Sequence, residues 1–428
     1  MNKKMIPVAG IDVSKDFSDM CILAPDNIVF RRVKIFHDRT SMERSLIALR
    51  EAEEEFEAKP VLVMESTSHY HRLLWQFMTE AGYEVIVINP IQSGGLKNIN
   101  VRKVKNDQVD AFKLALLYRL KTLRPSLMPK ENVAALRDLS RQHVEVMNDV
   151  TRYTNRLRAM LDQSFPGYAS VFPEPGSTGS LAVLEWCATP DELLAADEDA
   201  VVNLLKKVCR RGLKWAQQKT EKLLACAKSA ASICIRRDSY AVLIRTCVAT
   251  LHFLLANVRA LDAEMKRIVC EDSVISRNAR LLQSIPGVGM FSSIVLLAEM
   301  GDFTAFAKPK QLTSFFGLDP TQRQSGQFTG TKNKISKRGS GYARSILNMI
   351  AHNCVHKHPQ TGKPGNPVLA EYYQKKCASK PKKVAICAVM HKIVHIVFAV
   401  LRDQKPFELR DPRDHDRMLM ERNVNPAA

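Results

Sequence analysis

Short apolar segments at the start of the chain constrain the fold most strongly, because strand-like and helix-like periods alternate there. The first three segments are strand-length, and Pro25-Asp26-Asn27 supplies a turn between the second and third. After them, segments whose apolar residues recur with the period of a helix alternate with two further apolar runs of strand length. Three strands followed by alternating helices and strands predict an α/β domain with a mixed sheet. The predicted strands are residues 6–11, 17–23, 28–35, 61–64 and 84–88, and the predicted helices are about 41–56, 69–81 and 107–120.

The rest of the chain has a helical pattern. Apolar residues three and four apart recur from Leu136 to Met160 and from Leu251 to Ile268, which is typical of coiled-coil seams. The two seams can pair antiparallel with each other or with a second protomer. At 428 residues the chain exceeds one ordinary core. We predict three domains: an α/β domain at 1–125, a coiled-coil region with a helical insert at 126–275, and a mostly helical domain at 276–428.

The charge balance favours a nucleic-acid partner. Lys and Arg number 63 against 44 Asp and Glu, which gives a net charge of +19 and a pI near 9.5. The excess falls in defined stretches, which favours phosphate contacts over a solvated face. The candidate nucleic-acid-binding residues are Lys97, Arg102, Lys103, Lys105, Lys332, Lys334, Lys337, Arg338 and Arg344.

The ten cysteines and the apolar segments bear on cellular location. The cysteines show no CxxC pair and no regular spacing, which indicates reduced thiols in the cytosol. The apolar stretch behind the basic start is cut short by Asp12, unlike a signal peptide. The most apolar segment, Val384 to Leu401, carries two histidines and a lysine and is interpreted as a core helix. We therefore expect a cytoplasmic protein with no membrane partner.

Four acids stand at positions that suit a metal site. Asp12 and Glu65 each follow a buried strand directly, and Asp107 and Asp110 are three apart at the start of a helix, so both face one side. Singly, Asp12 can be a turn residue, Asp107 an N-cap and Glu65 a surface acid. Together with the basic run before the helix, they predict a magnesium site that acts on a phosphodiester.

The segments around these acids resemble one known family. Gly10-Ile11-Asp12, then Met64-Glu65-Ser66-Thr67, then Lys105 to Ala111 are similar to the DEDD insertion-sequence transposases. The resemblance implies an RNase H-like, RuvC-like N-terminal domain. In that family four acids bind magnesium, and they correspond to Asp12, Glu65, Asp107 and Asp110.

The C-terminal half resembles the same family. Ser284 to Gly289 resembles a helix-hairpin-helix turn, with a plain Pro-Gly helix connection as the alternative. The segments Phe315 to Pro320, Gln324-Ser325-Gly326 and Ile335 to Gly339 match the family's C-terminal transposase domain. A serine of that domain attacks DNA in the family, which implies Ser325 as the nucleophile. Other serines nearby, Ser336, Ser340 and Ser345, lie in equally basic surroundings, so the choice rests on the motif.

The resemblance also implies a reaction and partners. It implies a transposase or site-specific recombinase guided by a non-coding bridge RNA, with donor and target DNA, magnesium-dependent serine attack, strand exchange and religation. It further implies a homo-oligomer, a dimer or a tetramer in the active complex, and a place at the bacterial nucleoid. Three alternatives stay open: a RuvC-like nuclease or resolvase that uses metal-activated water, a DNA invertase of the same family, and a helical nucleic-acid-binding scaffold without activity.

Overall fold

The computed structural model divides the chain into two compact units, residues 1–129 and 130–428. The structure describes residues 6–66, 69–89, 107–120, 123, 130–235, 238–321, 324–325, 328–329, 334–359 and 361–424. Within them, side chains are not described at residues 107, 324–325, 328–329 and 419–424. The boundary at residue 129 separates the sheet-containing part of the chain from the helical part.

Unit 1 contains one sheet and three helices within its described residues. Its strands are β1 (Val8–Val13), β2 (Phe17–Leu23), β3 (Val29–Phe36), β4 (Val61–Glu65) and β5 (Val85–Ile88), and its helices are α1 (Arg39–Phe56), α2 (His71–Glu80) and α3 (Asp107–Leu120).

The sheet is mixed, as the sequence predicts. Its strand order is β3-β2-β1-β4-β5, in which β1 pairs antiparallel with β2 and parallel with β4. The β4–β5 pair is parallel and the β2–β3 pair is antiparallel, with an irregular register between Ile22 and Leu23. Strand β1 therefore lies at the centre, and its last residues lie beside the last residues of β4.

Each face of the sheet has its own hydrophobic core. On one face, Ile11 and Leu62 pack in a cluster with Leu49 of α1 and Leu74 of α2. On the other face, Val8, Val63 and Cys21 pack in a cluster with Ala111 and Leu114 of α3. Alternate residues of a strand point to opposite faces, so every second residue of the central strands faces α3. This α3 face is the one that carries the acids.

Unit 2 is almost entirely helical over its described residues. Its helices are α4 (Glu131–Ser164), α5 (Tyr168–Val171), α6 (Thr178–Trp186), α7 (Pro190–Ala195), α8 (Glu198–Cys209), α9 (Leu213–Ala231), α10 (Asp238–Glu271), α11 (Ser273–Gln283), α12 (Met290–Met300), α13 (Pro309–Phe315), α14 (Gly341–Val355), α15 (Pro367–Cys377), α16 (Lys382–Asp403) and α17 (Pro412–Val424). A 3₁₀ turn at Phe303–Ala305 and the two-residue strands β6 (Gln324–Ser325) and β7 (Phe328–Thr329) complete it.

The two longest helices, α4 and α10, run antiparallel along each other. Each has 34 residues. Tyr240 at the start of α10 donates a hydrogen bond to Gln163 at the end of α4, at 3.0 Å. Near the opposite ends, Asn132 donates to Asp272 just after α10, at 3.2 Å. The two seams thus pair within one chain, and pairing with a second protomer stays a prediction.

Two separate hydrophobic cores lie at the two ends of this helix pair. One contains Leu157 and Leu251 together with the helices of the insert, residues 168–231. The other contains Leu136 and Met265 together with α11 to α16. The helices α10 and α16 are long and apolar enough to cross a membrane by length and composition alone, and both contribute to these cores.

Candidate active site

Asp12, the next-to-last residue of β1, and Glu65, the last residue of β4, lie on the same face of the sheet in neighbouring parallel strands. Ile11 of β1 lies opposite Met64 of β4, so one residue further along both strands come Asp12 and Glu65. Both continue the series of alternate residues that face α3, which begins with Val8 on β1 and Val61 on β4. Glu65 is 9% exposed, and Asp12 is half-buried. The register therefore brings two of the predicted acids together.

Helix α3 brings Asp110 over the same strands. A Cβ on Gly10 would lie 2.0 Å from the carbonyl oxygen of Ala111, so only a glycine lets the helix backbone rest on β1 at this point. Asp110, the neighbour of Ala111, is held by Lys113, whose Nζ lies 3.0 Å from Oδ1. Asp107 is the first residue of α3, and its side chain lies outside the description.

A fifth acid, Asp19, lies beside Asp12 and was missed by the sequence analysis. The two residues are direct partners in the antiparallel β1–β2 pair, so their side chains share a face. Asp19 is 8% exposed. The available signal was the one charged residue in the predicted strand 17–23, but only the register shows that it faces Asp12.

The donor set is all carboxylate, which suits a hard divalent cation such as magnesium. Among the side chains that the structure describes, no three His, Cys, Asp or Glu residues are close enough together to hold a metal ion. Asp12, Asp19 and Glu65 share one face of the sheet, and Lys113 supplies a positive charge to Asp110 on α3. The residues therefore fit a divalent metal by the type of their side chains, and those of the sheet also by their common face, while the role of Asp107 as a further ligand stays a prediction.

Ser325 lies in unit 2, in a short two-stranded antiparallel sheet. It ends β6 and is the partner of Phe328 in β7. Its side chain lies outside the description. On either side of this strand pair, Thr321 and Lys334 are joined by a backbone hydrogen bond of 2.8 Å, and Pro320 and Ile335 form an isolated bridge. The segment 320–335, called the arm here, therefore contains Ser325 and has its two ends paired at its base.

The base of this arm is fixed by side-chain and backbone contacts. Ser336 donates a hydrogen bond to Asp319 at 2.5 Å between Oγ and Oδ1. Gly339 passes so close to Phe315 that an added Cβ would lie 1.9 Å from its carbonyl oxygen. Ser340 caps α14 by accepting from the backbone N–H of Ala343. Two of the alternative serines, Ser336 and Ser340, therefore have structural partners.

Both regions match models of one protein family. Residues 9–166 match the DEDD transposase family of the IS110 type, and residues 279–374 match the transposase family IS116/IS110/IS902. Together the two matches cover more than half of the chain. The chain belongs to the IS110-type transposase family.

Two known relatives of this transposase match most of its length, and a third matches about a third of it. It is 23% identical over 404 residues to the uncharacterized 44.8 kDa protein of insertion element IS116 from Streptomyces clavuligerus, covering 94% of this chain and 96% of the relative. The uncharacterized 43.6 kDa protein of IS110 from Streptomyces coelicolor is 25% identical over 338 residues, covering 78% and 79%. The pilin gene-inverting protein of Moraxella bovis is 31% identical over 155 residues, which is 36% of this chain and 46% of that protein.

Among solved structures, a similar chain is that of T. thermophilus RuvC in complex with a Holliday junction substrate. The match has a TM-score of 0.22 and 14% identity, and it covers 28% of this chain and 99% of that chain.

The basic residues of the transposase occupy different settings. Lys334, Lys337 and Arg338 are exposed at the base of the Ser325 arm. Arg344 is half-buried, and its Nη1 donates to the carbonyl oxygens of Phe316 and Gly339 at 3.1 and 2.7 Å, so it also fastens the arm to α14. The remaining predicted contacts lie outside the described residues: Lys97, Arg102, Lys103, Lys105 and Lys332.

The segment Ser284 to Gly289 connects α11 and α12. Ile285 and Val288 are buried, and Gly287 has φ +83°, a conformation that favours glycine. A Cβ on Gly287 would lie 3.0 Å from the Cβ of Asn353 on α14. This turn is therefore packed against the same helix that Arg344 holds to the arm.

Proposed function

We propose that this transposase is a site-specific DNA recombinase that joins donor and target DNA by serine attack, using acids in unit 1 and Ser325 in unit 2. The observation that carries the proposal is the common face of Asp12 and Glu65, over which Gly10 admits the helix that bears Asp107 and Asp110. The strand order β3-β2-β1-β4-β5 supports an RNase H-like, RuvC-like assignment for unit 1.

The proposed step is a transesterification. The Oγ of Ser325 attacks a phosphodiester, the Oγ–P bond forms, the bond from phosphorus to one sugar oxygen breaks, and that oxygen leaves with a proton. Attack by another sugar hydroxyl reverses the step and frees the serine, so the number of phosphodiester bonds is unchanged. Magnesium, when bound by Asp12, Glu65, Asp107 and Asp110, would stabilise the charge that develops on the phosphate.

The family resemblance supports the partners that we propose. A non-coding bridge RNA would select donor and target DNA, and a dimer or tetramer would combine the acids and Ser325 of different protomers. The α4–α10 pair would serve as a coiled coil, and the Ser284 to Gly289 turn as a helix-hairpin-helix phosphate contact. The net charge of +19 suits this set of nucleic-acid partners at the nucleoid.

A plasmid assay tests the proposal. The gene with its native flanking DNA is placed beside a library of target sequences, and new junctions are counted by sequencing. We expect Ser325→Ala, Asp12→Asn and Glu65→Gln each to lower the junction count at least a hundredfold. Ser345→Ala, at an exposed serine of α14, should leave it unchanged. Junctions at the normal frequency in Ser325→Ala would refute the serine mechanism.

Trapping a protein–DNA adduct separates this reaction from hydrolysis by water. The purified chain with its RNA and a nicked target should give a denaturant-stable adduct that is absent in Ser325→Ala. Cleavage without an adduct would indicate a nuclease. The similarity to the pilin gene-inverting protein makes inversion the second candidate outcome, so the plasmid also carries an inverted pair of sites.

A further inference from the structure

Edge strand β3 places two cations on the face that carries the acids. Lys34 is the direct partner of Asp19 in the β2–β3 pair, and Asp19 is the direct partner of Asp12. Arg32, two residues before Lys34, lies opposite Cys21, whose side chain packs in the core beneath α3. A row across the sheet therefore runs from Lys34 through Asp19 to Asp12 and ends at Glu65.

The two cations line a small cleft beside the acids. The cleft has a volume of about 60 Å³, and Asp19, Arg32, Lys34 and Gln108 contribute polar groups to its wall. Arg32 donates from Nη1 to the carbonyl oxygen of Gln108 in the first turn of α3, at 3.2 Å. This contact anchors the guanidinium next to the helix start, while Arg32 as a residue remains exposed.

Lys34 is also held in place. Its Nζ lies 3.6 Å from the ring centroid of Phe17 and 5.7 Å from that of Phe36. Cation–π contacts of this kind restrain a lysine while leaving its donors available to an anion. Lys34 is exposed, as is 49% of Phe36. Two oriented cations thus border an acid cluster on its β3 side.

We propose that Arg32 and Lys34 bind the phosphate backbone of the DNA strand that enters the acid cluster, which rests on the proposed function. The five acids belong to one face of the sheet and to helix α3, and their negative charge repels a phosphate chain. A DNA strand that reaches them therefore needs cations next to them. A guanidinium is suited to two phosphate oxygens at once, and the anchored ammonium supplies a second point of contact. The exposed ring of Phe36, whose centroid lies 5.7 Å from the Nζ of Lys34, offers a surface for base stacking.

A different role for the two cations is to neutralise Asp19 and Asp12 for stability alone. The two roles predict different results. A purely stabilising role changes the melting temperature and leaves the salt dependence of DNA binding intact. A phosphate-binding role changes the salt dependence, because each contact to a phosphate of a single strand contributes about 0.7 to the slope of log affinity against log salt.

The test compares two double variants with the same loss of charge. Arg32→Gln/Lys34→Gln removes the cleft cations, and Arg44→Gln/Arg50→Gln removes two exposed cations from α1 on the opposite face. The full chain in EDTA is titrated against a fluorescent 20-nucleotide DNA strand, and separately against RNA of the same sequence, from 0.05 to 0.3 M NaCl. For DNA we expect the cleft variant to bind about 30-fold more weakly at 0.15 M salt, with a slope smaller by about 1.4.

The control variant should stay within about threefold of wild type, and Arg32→Lys/Lys34→Arg should restore most of the slope. Equal DNA binding by the cleft variant and the control would overturn the inference, as would a loss confined to RNA. The proposed function is assessed separately by Asp12→Asn in the plasmid assay. If Asp12→Asn recombines, the function fails; if it does not and the cleft variant binds DNA normally, only this inference fails.

Discussion

Gly10 of β1 touches the backbone of Ala111 in α3 so closely that a methyl group at Gly10 would lie 2.0 Å from the Ala111 oxygen and 2.5 Å from the nitrogen of Ala115. The atoms that an added methyl group would strike belong to the helix backbone, so no flexible side chain can move aside to make room for it. The contact stands one residue from Ile11 and two from Asp12, and on the helix it is adjacent to Asp110. It therefore sets the separation between the acids of β1 and those of α3.

Gly10→Ala should push α3 away from the sheet. We expect a loss of about 3 kcal/mol in the free energy of unfolding of unit 1, at the upper end for an overpacked core, and loss of detectable recombination. Urea denaturation of the full chain, followed by the far-ultraviolet signal, measures the first quantity. Gly212→Ala, where no atom lies within 4 Å of the added Cβ, is the control and should recombine normally. An active Gly10→Ala protein would contradict this account.

Lys113 places a positive charge next to Asp110, with its Nζ 3.0 Å from Oδ1. If Asp110 binds magnesium as proposed, this charge opposes the binding of the metal ion. In Lys113→Met, we expect the magnesium concentration for half-maximal cleavage to fall about fivefold, which corresponds to about 1 kcal/mol of removed repulsion. Lys59→Met, at a lysine that donates to the backbone of Gly82, is the control and should keep the wild-type requirement. A higher magnesium requirement in Lys113→Met would show that the lysine positions Asp110 instead.

Ser336 fastens the base of the arm that carries Ser325 through its hydrogen bond to Asp319. Ser336→Ala should lower the junction count at least tenfold, with a loss of only about 1 kcal/mol in stability because the pair is half-exposed. Ser336→Thr keeps the hydroxyl and should recover most activity. Wild-type junction counts in Ser336→Ala would show that the arm needs no such fastening.

Glu299 is 3% exposed and is held by two hydrogen bonds from Arg141, at 2.7 and 2.9 Å. Without Arg141, the buried carboxylate of Glu299 loses its ion-pair partner. Arg141→Met should therefore destabilise unit 2 by about 3 kcal/mol. The double variant Arg141→Met/Glu299→Leu should recover most of that loss in urea denaturation. Arg267→Met, in an exposed ion pair on α10, should cause no measurable change.

His391 and His395 of α16 titrate below the ordinary histidine range. Burial lowers the pKa of both, and neighbouring positive charge, including Lys392, lowers each further. The native state therefore binds fewer protons than the unfolded state, so stability falls as pH drops below about 6.5. The loss of unfolding free energy between pH 7.5 and 5 should be smaller in His391→Gln/His395→Gln. An unchanged slope would assign the acid sensitivity to other groups.

Local patterns in the sequence predicted much of unit 1. Strand β2 and helix α3 have the bounds that period and turn residues indicate, and the positions of Asp12 and Glu65 at strand ends are local facts too. The place of Asp19 and Lys34 near Asp12 was not predicted, because it depends on the register of two strand pairs. The register of the β2–β3 pair is also irregular between Ile22 and Leu23, so the sequence does not indicate which residues of β3 face α3.

In unit 2 the sequence predicted the two apolar seams but left their partners open. Antiparallel pairing is decided by contacts far apart in the chain, such as Gln163 with Tyr240. Likewise, the sequence could not separate Ser325 from its neighbours. The structure gives Ser336 and Ser340 structural hydrogen bonds and pairs Ser325 with Phe328, while the role of Ser325 stays a proposal.

The length of the paired helices α4 and α10 sets the distance between the two cores of unit 2. At 1.5 Å per residue, 34 residues span about 50 Å. Seven residues added to both helices would move the insert outward by about 10 Å with nearly the same orientation, whereas four would also rotate it. Relatives can therefore change the reach of the insert in steps of whole heptads without redesigning either core.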